Sequence, residues 1–461
     1  MFKEQISQFN KNLLDLRDFV DLIDPILLEK YKETEKDLQP FILVGLINRI
    51  LNNPDFKSDE QTPGILKIKE NIEKKLEEKY KGKVDVEIRD AKKVDDGITV
   101  EGLTFKTAPE AATYIEQLIN KPDHRNFLYK TSFISLISSV EWFFSQILHT
   151  LYSNFPEKAL LDKKMISFDD LKDFDNIKDA EQFLIDEKIE NILRDKVENW
   201  FELLSRELNL NMGYLASTKK NITEIFQRRN LIIHNGGIVN SIYLSRIDPS
   251  LKNELSINDS LGVSKEYLDF SIETLQTAFI LFSLELWKKN KPGDKERGNL
   301  LVEIVYENVE KGWWNIAEGL SFFLLQDAKM DNIDKLLGQI NNWLCQKRLG
   351  KNDAVQKELK DIDFSDKQLL FQLALVALKD DKATFFELLP MTMDKDELNA
   401  EKLQQFPIFE EMRLTEEFQN FKNDSKYFRN VSEKPIQNDI AAPKIVIPKK
   451  QRASKNKPKV L

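Results

Sequence analysis

An all-α, mainly helical protein is what this sequence predicts, and three observations predict it. Glycine and proline supply only 15 residues each of 461, too few for a turn-rich sandwich or barrel. Apolar residues recur at three- and four-residue spacing along almost the whole chain, and strict alternation is confined to one short stretch. The length favours two or three domains, and 41% hydrophobic residues exclude a wholly disordered chain. Cys345 is the single cysteine, so neither an intrachain disulfide nor a cysteine zinc site is available and the expected compartment is reducing. The N-terminal residues lack a continuous apolar run, and Phe41 to Ile47 and Phe133 to Leu148 are too short or too interrupted for a membrane span. A soluble cytoplasmic protein without membrane attachment is expected. A net charge of −9 argues against coating nucleic acid over the whole surface, while leaving room for a local basic site.

Residues 1–107 form an N-terminal helical segment. Phe9, Leu13, Leu16, Phe19 and Val20 follow helical spacing, and the run from Lys67 to Lys83 pairs Glu with Lys at helical offsets, as a solvated helix does. Val84, Val86 and Ile88 then alternate, Asp96-Gly97 signals a turn, and Ile98 and Val100 alternate again, which predicts a small β-hairpin over 84–106. Thr107-Ala108-Pro109-Glu110 reads as a capping box that opens a helix to about Asn120, and with it a domain over 108–290. Its core helix is Leu128 to Tyr152, followed by helices at Asp179 to Leu193, Lys196 to Leu208, Thr218 to His234 and Ser264 to Trp287.

Pro292, Gly293 and dense charge mark residues 291–299 as a linker. Residues 300–430 carry short amphipathic helices, with small residues at Ala317, Gly319, Ala374 and Ala377 where helices approach closely. This region resembles a tetratricopeptide-like array of helical hairpins, without a fixed period of about 34 residues; a plain helical bundle is the alternative. Either offers a surface for a protein partner. Residues 431–461, broken by Pro435, Pro443, Pro448 and Pro458, read as a disordered tail. Residues 441–461 hold seven basic side chains and no acidic one, which suits a tether for RNA or an acidic surface, or else a solubilising tail.

Three histidines, His124, His149 and His234, limit metal and acid–base chemistry. There is no His-Glu-x-x-His pair, no phosphate-binding glycine loop and no nucleophile elbow, so metal and cofactor are both expected to be none. His124 and His149 read as ordinary surface or core histidines, and Trp313 and Trp314 as core or as stacking platforms for bases. What remains is Ile222 to Asn240. Ile222, Ile225, Phe226, Ile232 and Ile233 make an apolar stripe, and Gly236-Gly237 stops the helix. His234 therefore falls in the last turn, where the carbonyl end of the helix favours positive charge. Asn230 shares its face, and the long Arg229 side chain reaches the same point.

The segment Arg229-Asn230-Leu231-Ile232-Ile233-His234 resembles the motif of the HEPN ribonucleases: Arg, commonly a polar residue directly after it, and a His a few residues on. Arg228 satisfies the spacing as well. The resemblance covers about residues 108–290 and implies an all-helical HEPN-like bundle that cleaves RNA by attack of its own 2′-hydroxyl, without metal. It also implies a homodimer in which two copies of the motif face each other, and a role as a toxin or antiviral defence effector. Arg229, Asn230 and His234 are then the catalytic candidates. Arg228, Asn235 and Glu141 are candidates for positioning. Glu141 interrupts an otherwise apolar helix, where a buried carboxylate needs a cation such as Arg229, unless it faces water or caps a neighbour. A non-catalytic HEPN-like dimerisation scaffold, recruiting a protein through the C-terminal helices, is the competing reading.

Overall fold

The computed structural model describes residues 1–51, 62–80, 84–94, 97–107, 123–161, 166–211, 213–252, 255–424 and 426–428. The protein is mainly helical. The helix expected to open at Thr107 and run to about Asn120, and the tail over 431–461, lie outside the described residues. No described helix is long and apolar enough to cross a membrane.

The chain divides into two compact units, Met1–Leu349 and Gly350–Leu461. The first begins with the long helix α1 (Lys3–Leu51) and α2 (Thr62–Tyr80). Strands β1 (Val84–Val94) and β2 (Gly97–Thr107) follow and pair antiparallel, Val84 opposite Thr107 and Ile88 opposite Leu103. The central helix is α3 (His124–Asn154), started by the Asp123 carboxylate on the Asn126 N–H. Then come α4 (Ile177–Arg194), α5 (Val197–Glu202), α6 (Lys219–Asn235), α7 (Ser241–Arg246) and α8 (Lys265–Asn290). The unit closes with α9 (Glu296–Glu310), α10 (Trp314–Gln326) and α11 (Asn332–Arg348).

Aromatic residues fix how these helices meet. Phe143 of α3 stacks on Phe9 of α1 at 4.1 Å, and its neighbour Phe144 stacks on Trp200 of α5 at 4.5 Å. Phe279 and Phe282 of α8 close on Phe144 edge-on, and Trp200 meets Phe226 of α6 the same way. Such pairs add to the burial of large rings, so α6 is clamped at its middle and its C-terminal end is left at the surface.

The boundary expected at 291–299 falls inside the first unit. Asp294 accepts a hydrogen bond from Trp287 Nε1 at 2.8 Å, and Arg297, only 1% exposed, pairs with Asp327 at 2.7 Å while donating to the Lys291 and Pro292 carbonyls. Arg297 is paired and buried while Lys291, Lys295 and Glu296 around it stay exposed, and Asp327 lies thirty residues beyond its partner, out of reach of any local reading. The region expected as one array over 300–430 is divided accordingly, α9 to α11 belonging to the first unit. The second unit holds α12 (Asn352–Leu359), α13 (Leu369–Leu378), α14 (Lys382–Asp394), α15 (Ala400–Gln405) and α16 (Glu416–Asp424), around Leu373, Phe385, Leu389 and Phe409.

Candidate active site

Helix α6 carries the motif. Residues 222–227 are buried, so the middle of the helix is enclosed on all sides, while Lys219 and Lys220 before it are exposed. The apolar stripe departs from the sequence reading at its end: Leu231 is buried at 4% exposure, while Ile233 is 46% exposed, the last turn being left open among the described residues. Gly236 and Gly237 adopt φ of +62° and +86°, and the Gly237 N–H reaches back to the Leu231 carbonyl at 3.1 Å, which ends the helix. A short ladder then holds the exit in place: Leu261 N–H donates to Gly237 O at 2.8 Å, and Val239 N–H to Asp259 O at 2.8 Å.

Consecutive arginines leave this helix in different directions, about 100° apart. Arg229 forms an ion pair with Glu141 of α3 and donates from Nη1 to Asn230 Oδ1 at 3.1 Å. The Glu141 carboxyl titrates above its ordinary range, because burial raises it more than the charge and hydrogen bond of Arg229 lower it. Arg228 instead donates from Nε to Glu224 at 2.7 Å and lays its guanidinium over the Tyr267 ring at 3.7 Å.

His234 is exposed and its side chain makes no hydrogen bond among the described residues. Asn230 sits one turn before it, about 40° around the axis and 6 Å along it, half-buried between Arg229 and the helix end. Asn235 donates to the Ile238 carbonyl and so ties the turn that follows the helix. Of the sequence candidates, Glu141, Arg229 and Asn230 are joined by direct contacts, His234 occupies the same helix end without one, and Arg228 belongs to a separate group. His149 pairs with Asp186 at 3.4 Å, and Trp313 is buried beneath Arg17 at 4.5 Å.

The group around Arg228 is what sequence reasoning missed. Glu224, 6% exposed, accepts from Tyr243 at 2.6 Å and Tyr267 at 2.5 Å as well as from Arg228, so one carboxylate binds α6 to α7 and α8. Both tyrosines titrate above their ordinary value, through burial first and the Glu224 charge second. The four-residue offset of Glu224 and Arg228 is a visible signal; the tyrosines give none. Among the described residues no group of three or more His, Cys, Asp or Glu is arranged to hold a metal ion.

No family model matches this chain, and neither does any curated protein or solved structure.

Proposed function

We propose that the protein is an endoribonuclease of the HEPN type that cleaves RNA without metal, with Arg229, Asn230 and His234 as its catalytic group. The observation that carries this reading is the end of α6: an exposed histidine whose side chain makes no hydrogen bond, one turn after an amide that is itself bonded to a braced arginine. RNA supplies its own nucleophile. The 2′-oxygen attacks phosphorus, the 2′-hydroxyl proton passes to a base, the bond to the 5′-oxygen breaks, and that oxygen takes up a proton. His234 suits either proton transfer. Arg229 offers a planar fork to the phosphate oxygens, and Glu141 orients it.

A single chain brings one such histidine, so the reading includes a homodimer in which two motifs face each other, as the family resemblance implies. A cytoplasmic toxin or defence effector is the role that goes with it. The test is incubation of the purified chain with mixed RNA in EDTA, beside His234→Ala. Products ending in 2′,3′-cyclic phosphate, absent with the variant, support the reading. One observation favours the scaffold reading: the Arg229 guanidinium is engaged by Glu141 and Asn230. A chain inert on every RNA, yet dimeric, selects the scaffold.

A further inference from the structure

We propose that the cavity at the start of α6 binds the phosphate group of a phosphate ester, carried by a free nucleotide or by an RNA strand. The cavity lies wholly within the first unit, has a volume of about 650 Å³ and is framed by the start of α6, the end of α7 and Glu198 of α5. That volume admits a nucleoside beside its phosphate. Lys219, Lys220 and Arg246 bring positive charge to it. All three are exposed, and none forms an ion pair among the described residues. Lys220 Nζ donates to the Ser250 hydroxyl at 3.2 Å and Arg246 Nη1 to Gln227 Oε1 at 3.4 Å, neutral acceptors that leave the charge uncompensated. Lys219 Nζ stands 5.4 Å from the centre of the Phe201 ring.

Helix geometry gathers these charges around one hydroxyl. Thr223 lies about 40° around the α6 axis from Lys219 and about 60° from Lys220, one turn on. Gln227, which accepts from Arg246, comes one turn later on the same face. Lysines before it and an arginine after it therefore bracket Thr223. This residue is only 7% exposed and lines the cavity, yet its hydroxyl makes no hydrogen bond among the described residues. A buried hydroxyl without a partner is costly, and a phosphate oxygen is the acceptor that cations on both sides favour. The backbone adds to them. Helix α6 has 17 residues, and the Thr218 side chain makes no capping hydrogen bond at its start. The positive end of the dipole, with N–H groups that have no partner inside the helix, stands uncapped beside the lysines.

Two carboxylates line the cavity as well, Glu198 and Asp248. Asp248 Oδ1 accepts from the Ser250 N–H and hydroxyl, and Glu198 keeps Oε2 buried. Lys252 lies close enough to act on Asp248, so the cations outnumber the carboxylates and the site attracts an anion. Lys220 and His234 are fourteen residues apart on α6, about 21 Å. The site is separate from the motif and does not depend on RNA cleavage.

The test is calorimetric titration of the full chain with three probes: adenosine 5′-monophosphate, a decamer of 2′-O-methyl RNA, which has no free 2′-hydroxyl to attack, and adenosine. Saturable binding is expected for a phosphate-bearing probe, weakening as salt rises, and none for adenosine. Tighter binding of the monophosphate identifies a free nucleotide, and tighter binding of the decamer an RNA strand. Arg246→Ala and the doubly substituted Lys219→Ala, Lys220→Ala chain should each bind the tighter probe about tenfold more weakly. Thr223→Val, which keeps the shape and removes the hydroxyl, should lose about fivefold. The lysines and the arginine are at the surface, and unchanged circular dichroism spectra confirm that each variant is folded. Adenosine binding as tightly as its monophosphate overturns the proposal. So does wild-type affinity in both the double lysine variant and Thr223→Val, or an absence of binding by both phosphate probes.

Discussion

Arg228 and Arg229 are neighbours in the chain and belong to different carboxylates, Arg228 to Glu224 and Arg229 to Glu141. The first pair is 16% and 7% exposed and is completed by two tyrosines; the second is more open, at 21% and 30%. The two arginines therefore respond differently to the same change. Arg228→Ala should cost about 2–3 kcal/mol, since it leaves a buried carboxylate short of its cation. Arg229→Lys should lower RNA cleavage by about 10²–10³-fold, because a point charge cannot reproduce a planar fork, while denaturation midpoints move little. Urea unfolding and single-turnover cleavage, measured on both variants, separate the two effects. Equal loss of stability from both changes would contradict the assignment.

The exit of α6 is built on two glycines with unequal demands. At Gly236 a Cβ would meet nothing within 4 Å, so Gly236→Ala pays only for its left-handed backbone, about 1 kcal/mol. At Gly237, φ is +86° and a Cβ would stand 2.5 Å from the Leu261 carbonyl oxygen. That backbone is itself bonded to Gly237, so it cannot withdraw without opening the ladder. Gly237→Ala should cost more than Gly236→Ala by about 1–3 kcal/mol, and amide exchange at Val239 and Leu261 should quicken in that variant alone.

These cases divide what the sequence carries from what it does not. The helical class, the core helix around Phe143 and the stop at Gly236-Gly237 rest on local spacing, and local spacing is legible. The Glu141–Arg229 pair was inferable because a carboxylate inside an apolar helix requires a cation. Glu224 with Tyr243 and Tyr267 was not, since tyrosines are common in cores and their separations of 19 and 43 residues follow no period. The charged run at 291–299 misled for a related reason. Dense charge usually means a solvated linker, and only the distant Asp327 turns Arg297 inward.

A second polar cluster predicts a pH window for the packing of α1 on α3. Asp24 accepts from Arg125 Nε at 2.8 Å and from the Tyr129 hydroxyl. Burial pushes its carboxyl up, but these hydrogen bonds prevail and hold it below the ordinary range. Burial and the Asp24 charge push Tyr129 up to about 12. A lowered acid contributes stability above its unfolded value near 3.8 that is lost as pH falls through the folded value; a raised phenol contributes below 10 and loses it as pH rises toward 12. The cluster is complete between about pH 4 and pH 10. Asp24→Asn should flatten the acid limb of the stability profile and Tyr129→Phe the alkaline limb. Profiles identical to the wild type at both ends would show that the cluster adds nothing.

The most direct prediction concerns His234. It is exposed, lies in the last turn of a helix that Gly236 still terminates, and its side chain makes no hydrogen bond among the described residues. His234→Ala should therefore alter unfolding free energy by no more than about 0.5 kcal/mol. Its effect on chemistry should be large, since loss of a positioned proton donor or acceptor costs about 10²–10⁴-fold in rate. Asn230→Ala should fall between, removing the acceptor that Arg229 Nη1 uses at 3.1 Å while leaving the Arg229 and His234 side chains in place. Cleavage by the wild type should persist in EDTA, and dilution below the dimer dissociation constant should abolish it, because each chain brings one motif. Mixing His234→Ala chains with Arg229→Ala chains then gives a decisive readout. If each cleavage site takes its histidine and arginine from the same chain, no mixed dimer holds an intact pair and activity stays absent. If they come from opposite chains, half of the sites in a mixed dimer are whole and activity returns. Full activity of His234→Ala alone would remove α6 from the chemistry altogether.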